Sequence, residues 1–170
     1  MNANRFHGAE MSRVRSDWIE SAGGPLVMMP LSVRAAWKGV RGEDYREACA
    51  VEDSLGSLAR PWGDVLVLGD EPLRTAVLFR PDGPCLLRWM HAPDERRLLK
   101  VALEARFDGL APTETLKVDV RDEPYALFDG GADGLTAGLL EFKPPAGPRL
   151  IRTDVVRDDA AEVGLILHCF

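Results

Sequence analysis

Val65-Leu-Val-Leu-Gly-Asp-Glu-Pro-Leu73 is the stretch on which the fold turns. Four consecutive apolar residues that end at a glycine and a proline read as a short buried strand followed by a turn. Leu73 to Phe79 and Cys85 to Met90 extend that strand into an expected three-stranded meander. Their link, Arg80-Pro-Asp-Gly-Pro84, is turn chemistry: proline presets φ, and glycine supplies the backbone freedom.

Towards the C-terminus the chain continues as sheet. Thr115 to Val120 alternates strictly, with Leu116, Val118 and Val120 on one face and Lys117 and Asp119 on the other. Tyr125 to Phe128, Thr136 to Phe142, Leu150 to Val156 and Val163 to Phe170 follow as strands. They are separated by Asp129-Gly-Gly-Ala-Asp-Gly134 and Lys143-Pro-Pro-Ala-Gly-Pro148. The Asp-Glu-Pro that closes the opening block recurs at Asp122 to Pro124, 52 residues on and again after a hydrophobic strand. As a true repeat it would predict two similar sheet halves.

Towards the N-terminus, Trp18 to Ser21 and Leu26 to Met29 read as short strands around Gly23-Gly24-Pro25. Ser32 is placed to cap a short helix, Val33 to Lys38, that ends at Gly39. Asp44 with Glu47 three positions later forms a capping-box pattern, and Gly56 sits where a left-handed stop belongs. A helix over 44–56 would place Tyr45, Ala48, Val51 and Leu55 on one face. Asp94 is the N-cap of a further helix, Glu95 to Phe107, with Leu99, Ala102 and Leu103 turned inward. The expected class is therefore α+β: a mostly antiparallel sheet of about nine short strands with two to three helices. Residues 16–170 read as one domain behind a flexible tail at 1–15.

Composition bounds the function. The chain has 170 residues and a formal net charge of −6, from 27 acidic and 21 basic side chains. That balance argues against nucleic-acid binding through a basic face and permits a basic partner. No apolar run reaches membrane-spanning length, and the N-terminus lacks the pattern of a signal peptide. Cys49, Cys85 and Cys169 are odd in number and set in apolar segments, so they read as reduced core thiols of a cytoplasmic protein.

There is no nucleophile elbow, phosphate loop or dinucleotide fingerprint. Cys85 and His91 lack the further ligands of a zinc site and read as a core cysteine and a strand-end histidine. Asp129 to Gly134 has the aspartates and glycine turn of a calcium loop, but Gly131 and Leu140 stand where ligands would be needed, so it reads as a solvated hairpin loop. The acidic pairs Glu52-Asp53, Asp70-Glu71, Asp122-Glu123 and Asp158-Asp159 each diverge on a strand or helix. A carboxylate enzyme would need them to meet from distant blocks; exposed turns forming a focused negative patch are the simpler expectation. Trp89 alternates with Cys85 and Leu87 and reads as core, whereas Trp62, in Arg60-Pro-Trp-Gly63, is a loop residue of the kind that anchors interfaces. No catalytic residue, metal site or cofactor is expected.

Taken together, Trp18-Ile-Glu-Ser-Ala-Gly-Gly-Pro-Leu26, the Ala48-Cys-Ala-Val-Glu-Asp53 core of the 45–56 block, and Leu66 to Leu73 with Leu87-Arg-Trp89 resemble the immunity protein 21 family. Tyr125-Ala-Leu-Phe-Asp129 and Leu165-Ile-Leu-His168 extend the likeness loosely. The resemblance implies a non-enzymatic antitoxin of bacterial polymorphic toxin systems, a small α+β protein that binds a cognate toxin in the cytoplasm and blocks it. The residues expected to meet the partner are Glu52, Asp53, Trp62, Asp70 and Glu71, with steering of a basic toxin by the acidic ones. A small carboxylate- or metal-dependent hydrolase and an intracellular adaptor are the competing readings.

Overall fold

The computed structural model describes residues 14–69 and 71–170. Ten strands are present among them: β1 (Leu26–Pro30), β2 (Gly56–Leu58), β3 (Val65–Leu68), β4 (Thr75–Arg80), β5 (Gly83–His91), β6 (Glu114–Val120), β7 (Tyr125–Asp129), β8 (Leu139–Phe142), β9 (Gly147–Asp158) and β10 (Val163–Cys169). They form two antiparallel five-stranded sheets, β2-β3-β1-β7-β8 (sheet I) and β4-β5-β10-β9-β6 (sheet II). Helices α1 (Glu43–Cys49) and α2 (Glu95–Glu104), with 3-10 turns at Leu31–Ala36 and Gly39–Arg41, cover the outer faces. The α+β, mostly antiparallel expectation holds.

The sheets pack face to face, and side-chain parity shows how. Leu26, Met28, Leu66, Leu68, Tyr125 and Leu127 from sheet I meet Val77, Leu86, Val120 and Ile151 from sheet II in the central core. The alternate residues of sheet I, Val27, Met29, Val65, Val67, Ala126 and Phe128, point the other way onto Trp37 and Ala48. Strands covered on both faces lose their alternation, which is why β1, β3 and β7 read as unbroken apolar runs. On sheet II, α2 sets Leu98, Leu99 and Ala102 on Leu78, Cys85, Leu87, Leu165 and Leu167. Strand β6 has one face in water and keeps the expected alternation.

Several expectations are corrected. The meander is broken: β3 belongs to sheet I, whereas β4 and β5 are in sheet II, so the Asp-Glu-Pro segment is a crossover between layers. The second Asp-Glu-Pro also crosses layers, from β6 to β7, but β3 lies inside its sheet and β6 at an edge. The 44–56 helix runs only over Glu43–Cys49; Asp44 and Glu47 both bind Arg60 (2.6 Å each) instead of capping, and Gly56, expected as the stop, opens β2. The 33–38 helix is a 3-10 turn over Leu31–Ala36, with Pro30 as cap residue and no side-chain cap bond. Helix α2 ends at Glu104 rather than Phe107, while Asp94 caps it as expected, accepting from the Arg97 N–H (2.9 Å).

Trp18 to Ser21 is not a strand. Ile19 makes a single bridge to Thr75, and Arg15 makes one to Leu78. Of the expected tail, residues 1–13 lie outside the described residues, while Arg15 is tied to the edge of β4.

The cysteine reading is overturned. Antiparallel pairing of β5 with β10 sets Cys85 opposite Cys169 on the face under α2, with Cα atoms 4.2 Å apart, and the two form a disulfide. Cys49 is free and exposed rather than a core thiol. The register that joins residues 84 apart in sequence could not be seen in their spacing.

Candidate partner-binding surface

Three of the four acidic residues expected to meet a partner lie at one end of the sandwich. The turn after α1 carries exposed Glu52 and Asp53, and the β3–β4 crossover carries exposed Glu71. Gly69 lets the two segments touch: a β-carbon there would strike the carbonyl oxygen of Asp53. Beneath them lies Arg88 of β5, 1% exposed, whose guanidinium donates to the carbonyls of Ser54 (2.9 Å), Gly69 (2.8 Å) and Glu71. One buried side chain from sheet II thus holds both acidic segments of sheet I. Asp70 falls outside the described residues.

Trp62 is elsewhere. It precedes β3, whereas Gly69 follows it, so the four residues of that strand separate the two by about 13 Å of extended chain. Its ring is half-buried against the outer core of sheet I rather than exposed, and its carbonyl accepts from Arg121 Nη2 (3.1 Å). The second acidic turn is at Trp62's end and is largely neutralised. Asp122 pairs with Lys143 (2.7 Å), which holds its carboxyl below the usual range, and Glu123 approaches Arg121 (3.9 Å) and accepts from the Ser32 N–H.

Beside the acidic end is an aromatic cluster that sequence reasoning missed. The Arg74 guanidinium lies over both Trp18 and Trp89, 4.8 and 5.0 Å from the ring centroids, and the two rings themselves are in tilted contact 5.5 Å apart. Trp18 Nε1 donates to Glu95 Oε1 (2.6 Å), which also binds Arg15. Trp89, expected as core, is half-buried because it stands at the N-terminal edge of α2. The signal was in the alternation: Cys85 and Leu87 share its face, but the helix covers only those two fully.

The outer face of sheet II is only partly covered. Between α2, the segment 105–113 and the C-terminal half of β9 runs a groove of about 730 Å³, lined by Val101, Ala105, Phe107, Leu110 and Val156 with acidic Asp158 and Asp159 at its rim. Phe107 also borders two smaller hollows, and Arg80 and Arg152 stack on its ring at 5.5 and 4.9 Å. Arg80 is spoken for by Asp82, whose carboxyl it lowers, and Arg152 by Asp154 (2.5 and 2.9 Å). The groove and the acidic end are joined: Glu114, next to groove-lining Thr113, accepts from the Ser54 N–H and Oγ (3.1 and 3.2 Å).

Among the described residues no group of three or more His, Cys, Asp or Glu side chains could hold a metal ion. Cys85 is consumed by its disulfide, and His91 is exposed. The 129–134 segment is not a solvated hairpin. Asp129 accepts from the Ala22 and Gly131 amides, Asp133 binds Arg41, and Gly130 O accepts from Trp37 Nε1 (2.8 Å), so the loop is docked onto the 3-10 turns. His168 is buried inside the sandwich against Thr153 Oγ1 (2.8 Å); burial, then the Arg88 charge, lowers its pKa to about 3. It is neutral at physiological pH.

Among known families, the one described as immunity protein 21 has a model that matches residues 17–154. No curated protein and no solved structure matches the chain.

Proposed function

The chain belongs to the immunity protein 21 family, and from that premise we propose that residues 16–170 act as one domain that binds a cognate bacterial toxin and neutralises it by covering its active surface. The family match carries this reading. It is supported by the kind of surface the fold exposes: acidic segments held over Arg88, with a cluster of two tryptophans and Arg74 alongside. Glu52, Asp53, Glu71 and Asp70 would steer a basic toxin and speed its capture. Preorganised Trp and Arg side chains supply the contact area typical of binding hot spots. In this role the protein turns nothing over.

Co-expression with the toxin domain encoded beside its gene is the direct test. The expected result is survival of the host with the wild-type protein and death without it. Reversing Glu52, Asp53 and Glu71 to lysine should slow association and flatten its salt dependence; unchanged salt dependence would remove the acidic end from the interface. The reading puts neutralisation in the cytoplasm, where thiol reductants oppose the Cys85–Cys169 bridge. Mass measurement after alkylation of cell extracts checks this, with two blocked thiols at those positions expected and a retained bridge counting against a cytoplasmic site.

A further inference from the structure

Strand β9 is twelve residues long, but its neighbour on the outer side is short. Pairing with β6 runs only from Gly147 to Thr153, whereas pairing with β10 continues to Asp158. Above Thr153, therefore, β9 is an edge strand. Thr113 marks where cover ends: its N–H donates to Thr153 O (2.9 Å), and its hydroxyl accepts from the Val155 N–H (3.2 Å). Main-chain groups alternate direction along a strand, so with residues 153 and 155 facing outward, residue 157 faces outward as well. The Val155 carbonyl and both main-chain groups of Arg157 are then left without a strand partner among the described residues.

That bare edge opens into the groove described above. Its lining mixes apolar side chains, Val101, Ala105, Phe107 and Val156, with polar and charged ones, and Leu110 at its margin is 61% exposed. Its unmatched rim charges are Glu104, Asp158 and Asp159 against Arg106 and Arg157, since Asp154 is taken by Arg152. Open strand edges are hazards that folded proteins ordinarily blunt, and an open edge beside a groove with apolar pockets and charged margins is the geometry of strand addition. We infer that an extended segment of the toxin partner, apolar with basic neighbours, docks here as a short added strand that continues the position of β6. The inference rests on the immunity reading and names the surface that anchors it. The acidic end, joined to this groove through Ser54 and Glu114, would guide the encounter, and the groove would set the lifetime of the complex.

The test exploits proline. At an outward-facing edge position proline deletes the N–H without breaking the ladder to β10. Titration calorimetry of purified variants against the toxin domain encoded beside the gene should show Arg157→Pro weakening binding about tenfold or more, and Arg157→Ala less than about threefold. Ala111→Trp, at an exposed position lining the groove, should weaken binding comparably by filling it, and it keeps the inference testable if the proline variant fails to fold. Wild-type affinity in folded Ala111→Trp, or equal losses in the proline and alanine variants, overturns the strand-addition site. A wild-type protein that binds this toxin not at all removes the immunity reading together with the site.

Discussion

The two sheets of this protein have the same number of strands and opposite exposures. Sheet I is sandwiched between sheet II and a cap of 3-10 turns and α1, and its three inner strands are buried almost to the last residue. Sheet II has a helix over β4, β5 and β10 but none over β6, where burial alternates, or over the end of β9, which is only partly buried. The difference teaches that the covered sheet is a scaffold, with its sequence fixed by packing on both sides, and that the half-covered one has surface to offer.

If that division is right, the largest losses of stability follow damage to the cap of sheet I. Trp37 is fully buried and bonds Gly130, so Trp37→Ala should cost about 3–5 kcal/mol in denaturant unfolding. A much smaller cost would show that the cap is loosely held. In sheet II the bridge between its two central strands comes next. Cys169→Ser should cost about 2–5 kcal/mol relative to the oxidised protein and abolish the effect of reductant on Tm.

His168 probes the space between the sheets. Its folded pKa, about 3, is below the value near 6.5 of the unfolded chain, so the unfolded state binds the extra proton as pH falls. Its contribution is complete above about pH 6.5 and should be lost by about 1.4 kcal/mol per pH unit down to about pH 3. His168→Gln should remove that part of the acid slope. The Asp94→Ala change tests the cover of sheet II, with about 1 kcal/mol expected from the lost cap bond. Leu150→Ala, 55% exposed on the open part of sheet II, should change stability by less than about 0.5 kcal/mol. A core-like cost there would erase the contrast between the sheets.

What the sequence disclosed follows the same line. Residues 26–29, 65–68 and 125–128 announced buried strands because burial on two faces leaves only apolar residues. Thr115 to Val120 announced a strand wet on one face, and Asp94 announced a helix start. Layer membership was hidden, since Asp70 to Pro72 reads as the same turn whether it closes a hairpin or carries the chain to the other sheet. Competition was hidden too: Arg60 draws Asp44 and Glu47 away from the capping role that their spacing suggested. Of the expected contact residues, Glu52, Asp53 and Glu71 come together through Gly69 and Arg88, whereas Trp62 does not join them, and neither relation has a local signature. The groove arises from two strands of unequal length, which no single segment encodes.

The interleaved strand orders decide how the chain can be assembled. Sheet I draws β1, β2 and β3 from before Gly109 and β7 and β8 from after it, while sheet II draws β4 and β5 from before and β6, β9 and β10 from after. A cut at the exposed Gly109 turn would therefore yield two fragments, neither containing a whole sheet. Each would be a template the other must complete, so the separated pieces should stay unstructured alone and regain the native fold only on mixing. Biosynthesis meets the same constraint, because the ribosome must deliver β10 before β5 has its inner neighbour.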